Sequence, residues 1–65
     1  MNNLSGNLKN LRQKNGLSQL ELANKIGINR STYAYYETGK TSPSLTNLIK
    51  IADTFNITVD ELLKR

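Results

Sequence analysis

The side chains with the most chemical content stand in the run QLELANKIGINRSTYAYYET, from Gln19 to Thr38. On a helix each residue turns about 100° from the last. With Tyr33 and Tyr36 turned inward as packing residues, Arg30, Ser31, Ala34 and Thr38 face outward and Tyr35 lies on the flank. That set is suited to recognition. A guanidinium fork donates to two neighbouring acceptors, such as guanine O6 and N7. The Ala34 methyl can touch a thymine methyl, and the Ser31 hydroxyl can donate or accept. Arg30, Ser31, Ala34 and Tyr35 are therefore the candidate contacts to base pairs, and Tyr35 can equally stack on a sugar or bond to phosphate. The plainer alternatives are an Arg30 that meets only phosphate and a Tyr35 that is inert surface.

A second set has the chemistry to hold a polyanion without reading it. Gln19, at the start of a helix, combines a side-chain amide with free backbone N–H groups. Asn29, Thr38, Lys40, Thr41 and Ser42 flank the outward face, and the helix start at Ser44 to Thr46 offers further N–H groups. Such contacts supply salt-dependent affinity and fix orientation.

Chemistry of turnover is not assembled. The sequence has no histidine and no cysteine, so the commonest general base, the commonest metal ligands and any disulfide are missing. The five carboxylates are scattered, and capping or solvent exposure accounts for them. The reading is a non-enzyme with no cofactor and no metal. No apolar run is long enough to span a membrane, and a reducing, cytoplasmic setting fits.

At 65 residues the chain is read as one domain over 1–65. A domain this small buries only about 60% of its unfolded surface, so stability is modest unless copies pair. The net charge of +4 is unevenly spread. Residues 1–50 carry seven Lys or Arg against Glu21 and Glu37, a net of +5; residues 51–65 carry Lys64 and Arg65 against Asp53, Asp60 and Glu61, a net of −1. Positive charge confined to one part marks a surface that meets a polyanion.

The elements that must position these groups are five helices and no strands. Leu4, Leu8 and Leu11 share a face of the first, which Gly16 closes. Ser18 with Glu21 makes a capping box for the second, stapled by Leu17 and Leu22. Gly27 supplies the turn to the third, which Asn29 caps, Ile28 and Tyr33 staple, and Gly39 ends. Ala23 is small enough to let that third helix pack close on the second. Ser44 caps the fourth after Pro43, with Leu45, Leu48, Ile49, Ala52 and Phe55 at helical spacing. Thr58 with Glu61 forms another capping box, with Ile57 and Leu62 as staple, and opens a last helix over Val59 to Lys64.

These residues resemble the Cro and phage-repressor type of helix-turn-helix. The resemblance is carried by L-x-x-L-R at Leu8, Leu11 and Arg12, G-L-S-Q at Gly16 to Gln19, and L-A at Leu22 and Ala23. It continues with I-G-I at Ile26 to Ile28, Tyr36-Glu37-x-Gly39-Lys40, Pro43, and L-x-x-L-I-K-I-A at Leu45 to Ala52. It spans residues 4 to 63. It implies an all-α, lambda-repressor-like five-helix bundle that binds double-stranded DNA by laying the third helix in the major groove. It also implies that Arg12 and Glu37 pair, tying the first helix to the end of the third. Three positions depart from the pattern: Asn56 stands where glycine is usual, Ser5 where an apolar residue is usual, and Leu20 where a polar one is usual.

One reading helix covers about four or five base pairs, too few for useful selectivity, so such domains act in pairs. Asn56, Thr58, Val59, Asp60 and Leu63 are the candidate homodimer contacts, because they mix apolar residues with the low positive charge past residue 50. The expected function is a transcriptional regulator, a repressor binding a palindromic operator as a homodimer. The alternative is an antitoxin or protein-interaction module built on the same fold.

Overall fold

Four helix starts are closed by side-chain caps. In the computed structural model, which describes residues 3–64, the helices are α1 (Leu4–Lys14), α2 (Gln19–Ile26), α3 (Arg30–Thr38), α4 (Leu45–Thr54) and α5 (Val59–Leu62). Ser18, Asn29, Ser44 and Thr58 each accept the backbone N–H three residues on. Ser18–Glu21 and Thr58–Glu61 are complete capping boxes. Each such cap contributes about 1 kcal/mol relative to alanine. The fifth helix is shorter than the expected Val59 to Lys64. The Asn7 side-chain amide of α1 donates to the carbonyls of Leu62 and Lys64, tying the end of α5 to α1.

The ends of α1 to α4 share one closure. The amides of Leu17, Ile28, Lys40 and Ile57 each donate back five residues, to the carbonyls of Arg12, Ala23, Tyr35 and Ala52, all at 3.0 Å. The residue before each donor lies in the left-handed region: Gly16, Gly27, Gly39 and Asn56. At Gly27, φ is 77°, and this glycine makes the corner between α2 and α3. Asn56, at φ 57°, takes the place of the usual glycine because its side chain tolerates this conformation.

The core forms where α1, α2, α3, α4 and α5 meet. Leu8, Leu22, Ala23, Ile26, Tyr33, Tyr36, Ile51, Ala52 and Leu62 are buried. Full burial of each Leu or Ile contributes about 1.5–3 kcal/mol, so Leu22→Ala alone would remove a large share of a small domain's stability. Tyr33 and Tyr36 cross edge to face with centroids 6.1 Å apart. Leu4 packs against this core, which accounts for Ser5 at a position that is usually apolar. Leu20 is 52% exposed, and nothing in the structure explains it.

Candidate nucleic-acid interface

Two facts set the presentation of α3. Ala23 is fully buried, so α2 and α3 approach closely, and Tyr33 and Tyr36 turn the inner side of α3 into the core. The opposite side is left outside. Arg30, Ser31 and Thr38 are exposed, Ala34 is half-buried, and Tyr35 is exposed on the flank.

The inner side is fixed by one carboxylate. Glu37 accepts from Arg12 Nε at 2.6 Å and Nη2 at 3.1 Å, from Gln19 Nε2 at 3.1 Å, and from the Tyr33 hydroxyl at 2.5 Å. Arg12 Nη1 donates to the Leu17 carbonyl at 2.8 Å. Burial pushes the Glu37 carboxyl up, but the hydrogen bonds from Arg12, Tyr33 and Gln19 outweigh it and hold its pKa below the usual carboxylate range. The hydrogen bond to Glu37 raises Arg12 further. Burial, then the bond to Glu37, raises the Tyr33 phenol far above its ordinary value, so it stays a donor. This cluster joins α1, α2 and α3 and orients the outer face of α3.

The other expected site residues fall as follows. Gln19 directs an amide hydrogen at Glu37, so its side chain is engaged inward rather than held open for a phosphate. Asn29 spends its Oδ1 on the Thr32 amide at 2.8 Å. The Thr38 hydroxyl donates to the Tyr35 carbonyl at 3.2 Å. Lys40, Thr41 and Ser42 are exposed, and the Lys40 ammonium stands 4.5 Å from the centre of the Tyr35 ring. Of the residues expected at a dimer face, Asn56, Thr58 and Asp60 are exposed, Leu63 is half-buried, and Val59 is half-buried against the core.

Sequence reasoning did not find the Tyr33 and Gln19 bonds to Glu37, the Asn47 amide donating to the Tyr36 hydroxyl at 3.0 Å, or the Lys40–Tyr35 stack. The Tyr33–Glu37 spacing of four residues on one helix was a usable signal. Among the described residues, no group of three or more His, Cys, Asp or Glu could hold a metal ion, and no helix is long and apolar enough to cross a membrane.

The helix-turn-helix family profile matches residues 8–62. Over 58 residues the chain is 48% identical to the HTH-type transcriptional regulator AnsR of Bacillus subtilis, covering 89% of this chain and 50% of that protein. Over 58 residues it is 41% identical to the cryptic phage CTXphi transcriptional repressor RstR of Vibrio cholerae, covering 89% of this chain and 52% of that protein. The chain thus spans about half the length of both relatives. Its fold matches the crystal structure of SinR, the Bacillus subtilis master regulator for biofilm formation, in complex with DNA. The TM-score is 0.86 at 29% identity, over 94% of this chain and 98% of that one. With the five helices of the described residues in this arrangement and a family profile running through nearly all of them, the chain belongs to the helix-turn-helix family, of the Cro and phage-repressor type.

Proposed function

We propose that this chain is a single sequence-specific DNA-binding domain of a transcriptional regulator, acting as a repressor in the cytoplasm. The observation that carries the reading is the two-sided character of α3: its inner side is locked to α1 and α2 through Glu37, while Arg30 and Ser31 stand exposed on the other. In this reading α3 lies in the major groove. The Arg30 fork reads guanine, Ser31 and Ala34 meet neighbouring base edges, and Tyr35 closes the flank. Lys40, Thr41, Ser42 and Thr38 contact the backbone, with the helix starts at Gln19 and Asn29. Two copies pair through Asn56, Thr58, Val59, Asp60 and Leu63 on a palindromic operator, with half-sites about 34 Å apart. Occupancy of the operator then blocks polymerase. No catalytic step, metal or cofactor enters this mechanism. The relatives named as regulator and repressor, and SinR solved on DNA, support it.

Selection from a randomised duplex pool, followed by a salt titration of the winning sequence, tests this. Recovery of a two-fold-symmetric consensus whose affinity falls steeply with salt is expected. A second reading, a protein-interaction module of the antitoxin kind, is favoured by the exposure of Leu45 and Ile49 one turn apart on α4. Absent or salt-insensitive DNA binding would select that reading.

A further inference from the structure

The shared closure of α1 to α4 has a chemical exception. This turn lays the donor residue's side chain against the last turn of its helix. In three cases that side chain is aliphatic, and Leu17, Ile28 and Ile57 all pack against the core. In the fourth the donor is Lys40, which is exposed, and its ammonium rests over the ring of Tyr35, the residue whose carbonyl accepts the Lys40 amide. A backbone geometry that elsewhere tucks in an aliphatic chain here holds a cation against an aromatic face. The charge also lies at the negative end of the α3 dipole, which favours it further. A free lysine loses much rotamer freedom when it binds, whereas one already held on a ring loses less.

We propose that Tyr35 is a positioning residue for Lys40: its ring holds the ammonium at the flank of α3, in place for a phosphate of the duplex that α3 enters. This rests on the DNA-binding reading above. It gives Tyr35 a role through Lys40 in addition to any contact of its own.

The test measures binding of a labelled mixed-sequence duplex across a salt series. It compares the unmodified chain with Tyr35→Leu, Tyr35→Phe, Lys40→Met and the double variant Tyr35→Leu with Lys40→Met. Tyr35→Leu is expected to weaken binding about threefold, the size of an exposed cation–π contact. Tyr35→Phe, which keeps the ring, restores most of that loss. Lys40→Met lowers the salt slope by about one, as for one phosphate contact, and adding Tyr35→Leu to it costs clearly less than Tyr35→Leu costs alone. In the free chain, the Lys40 side-chain proton resonances are displaced upfield by the ring; the displacement survives Tyr35→Phe and vanishes in Tyr35→Leu. Equal losses from Tyr35→Leu with and without Lys40, or a Tyr35→Phe variant as weak as Tyr35→Leu, would overturn the proposal while leaving the DNA reading intact. An undisplaced Lys40 resonance would do the same. If the unmodified chain binds no duplex at low salt, the DNA reading falls and the proposal falls with it.

Discussion

Arg12 on α1 holds both carboxylate oxygens of Glu37 near the end of α3, with Nε at 2.6 Å from one and Nη2 at 3.1 Å from the other. The two side chains are only 12% and 5% exposed. The remaining arm of the guanidinium reaches the Leu17 carbonyl, so the same residue also braces the corner between α1 and α2. Taking two charges out of water offsets much of their attraction, so the pair orients α3 more than it adds net stability. Losing one partner is another matter, because it strands the other charge without compensation.

Arg12→Met should therefore lower stability by about 3 kcal/mol. In a domain this small, about 4–8 °C in Tm accompanies each kcal/mol, so the thermal midpoint should drop by more than 10 °C, roughly. Replacing both partners, Arg12→Met with Glu37→Gln, should recover part of the loss, because no charge is then left buried and an amide oxygen still accepts from Tyr33 and Gln19. Urea or thermal unfolding of the three proteins checks this; an unchanged midpoint for the single variant would refute it.

The acid limb of stability should trace to Glu37. Despite burial, its hydrogen-bond donors depress its folded pKa below the unfolded value. A depressed carboxylate contributes in full above the unfolded pKa, near 4.3 as a rough reference, and loses that contribution as pH falls through the folded pKa. Stability should be flat from neutral pH down to about 5 and fall below about 4.3. Glu21 titrates in the same direction, because its bonds to the Ser18 backbone and hydroxyl lower its pKa. Glu37→Gln should make the acid limb shallower without abolishing it. Melting curves between neutral and acid pH decide; an equally steep limb in Glu37→Gln would assign it elsewhere.

Caps and turns were legible in the sequence because each is a local transaction. Ser18 with Glu21, Asn29 with Thr32 and Thr58 with Glu61 lie three residues apart, so the pairing is written in adjacent letters. The partners of Glu37 were only half legible. Arg12 came from the family pattern, and Tyr33 is four residues away on the same helix. Gln19 is eighteen residues distant and meets Glu37 only because α2 docks on α3. Asn7 and Leu62, 55 residues apart, are a still more distant case, joined only because α5 docks on α1. The outward face of α3 was readable from helical periodicity, whereas the Lys40–Tyr35 stack depends on how the chain turns after Gly39.

Asn56 is open to a backbone test. Its φ of 57° is costly for most residues, by about 1–2 kcal/mol. Asn56→Ala should destabilise by about 1 kcal/mol, because it loses the tolerance that asparagine has for this region. Asn56→Gly removes the strain but loosens the unfolded chain, an opposing effect of about 0.4–1 kcal/mol. The glycine variant should therefore melt close to the parent. Comparing the two melting points checks the assignment; equal destabilisation by both would show that the side chain, and not the backbone, is what matters.

Arg30 separates recognition from folding. It is the first residue of α3, whose first turn contains no acidic side chain. A cation at a helix N-terminus opposes the helix dipole, so folding gains nothing from it there. Arg30→Ala should leave the melting point unchanged or slightly raised. On DNA it should lower affinity for the selected sequence by about 1–3 kcal/mol and relax the preference at a single base pair in each half-site. A phosphate-only Arg30 would behave differently: the loss would be uniform across sequences, and the salt slope would fall by about one. Repeating the binding-site selection with the variant distinguishes these outcomes, and an unaltered consensus would remove Arg30 from the reading set.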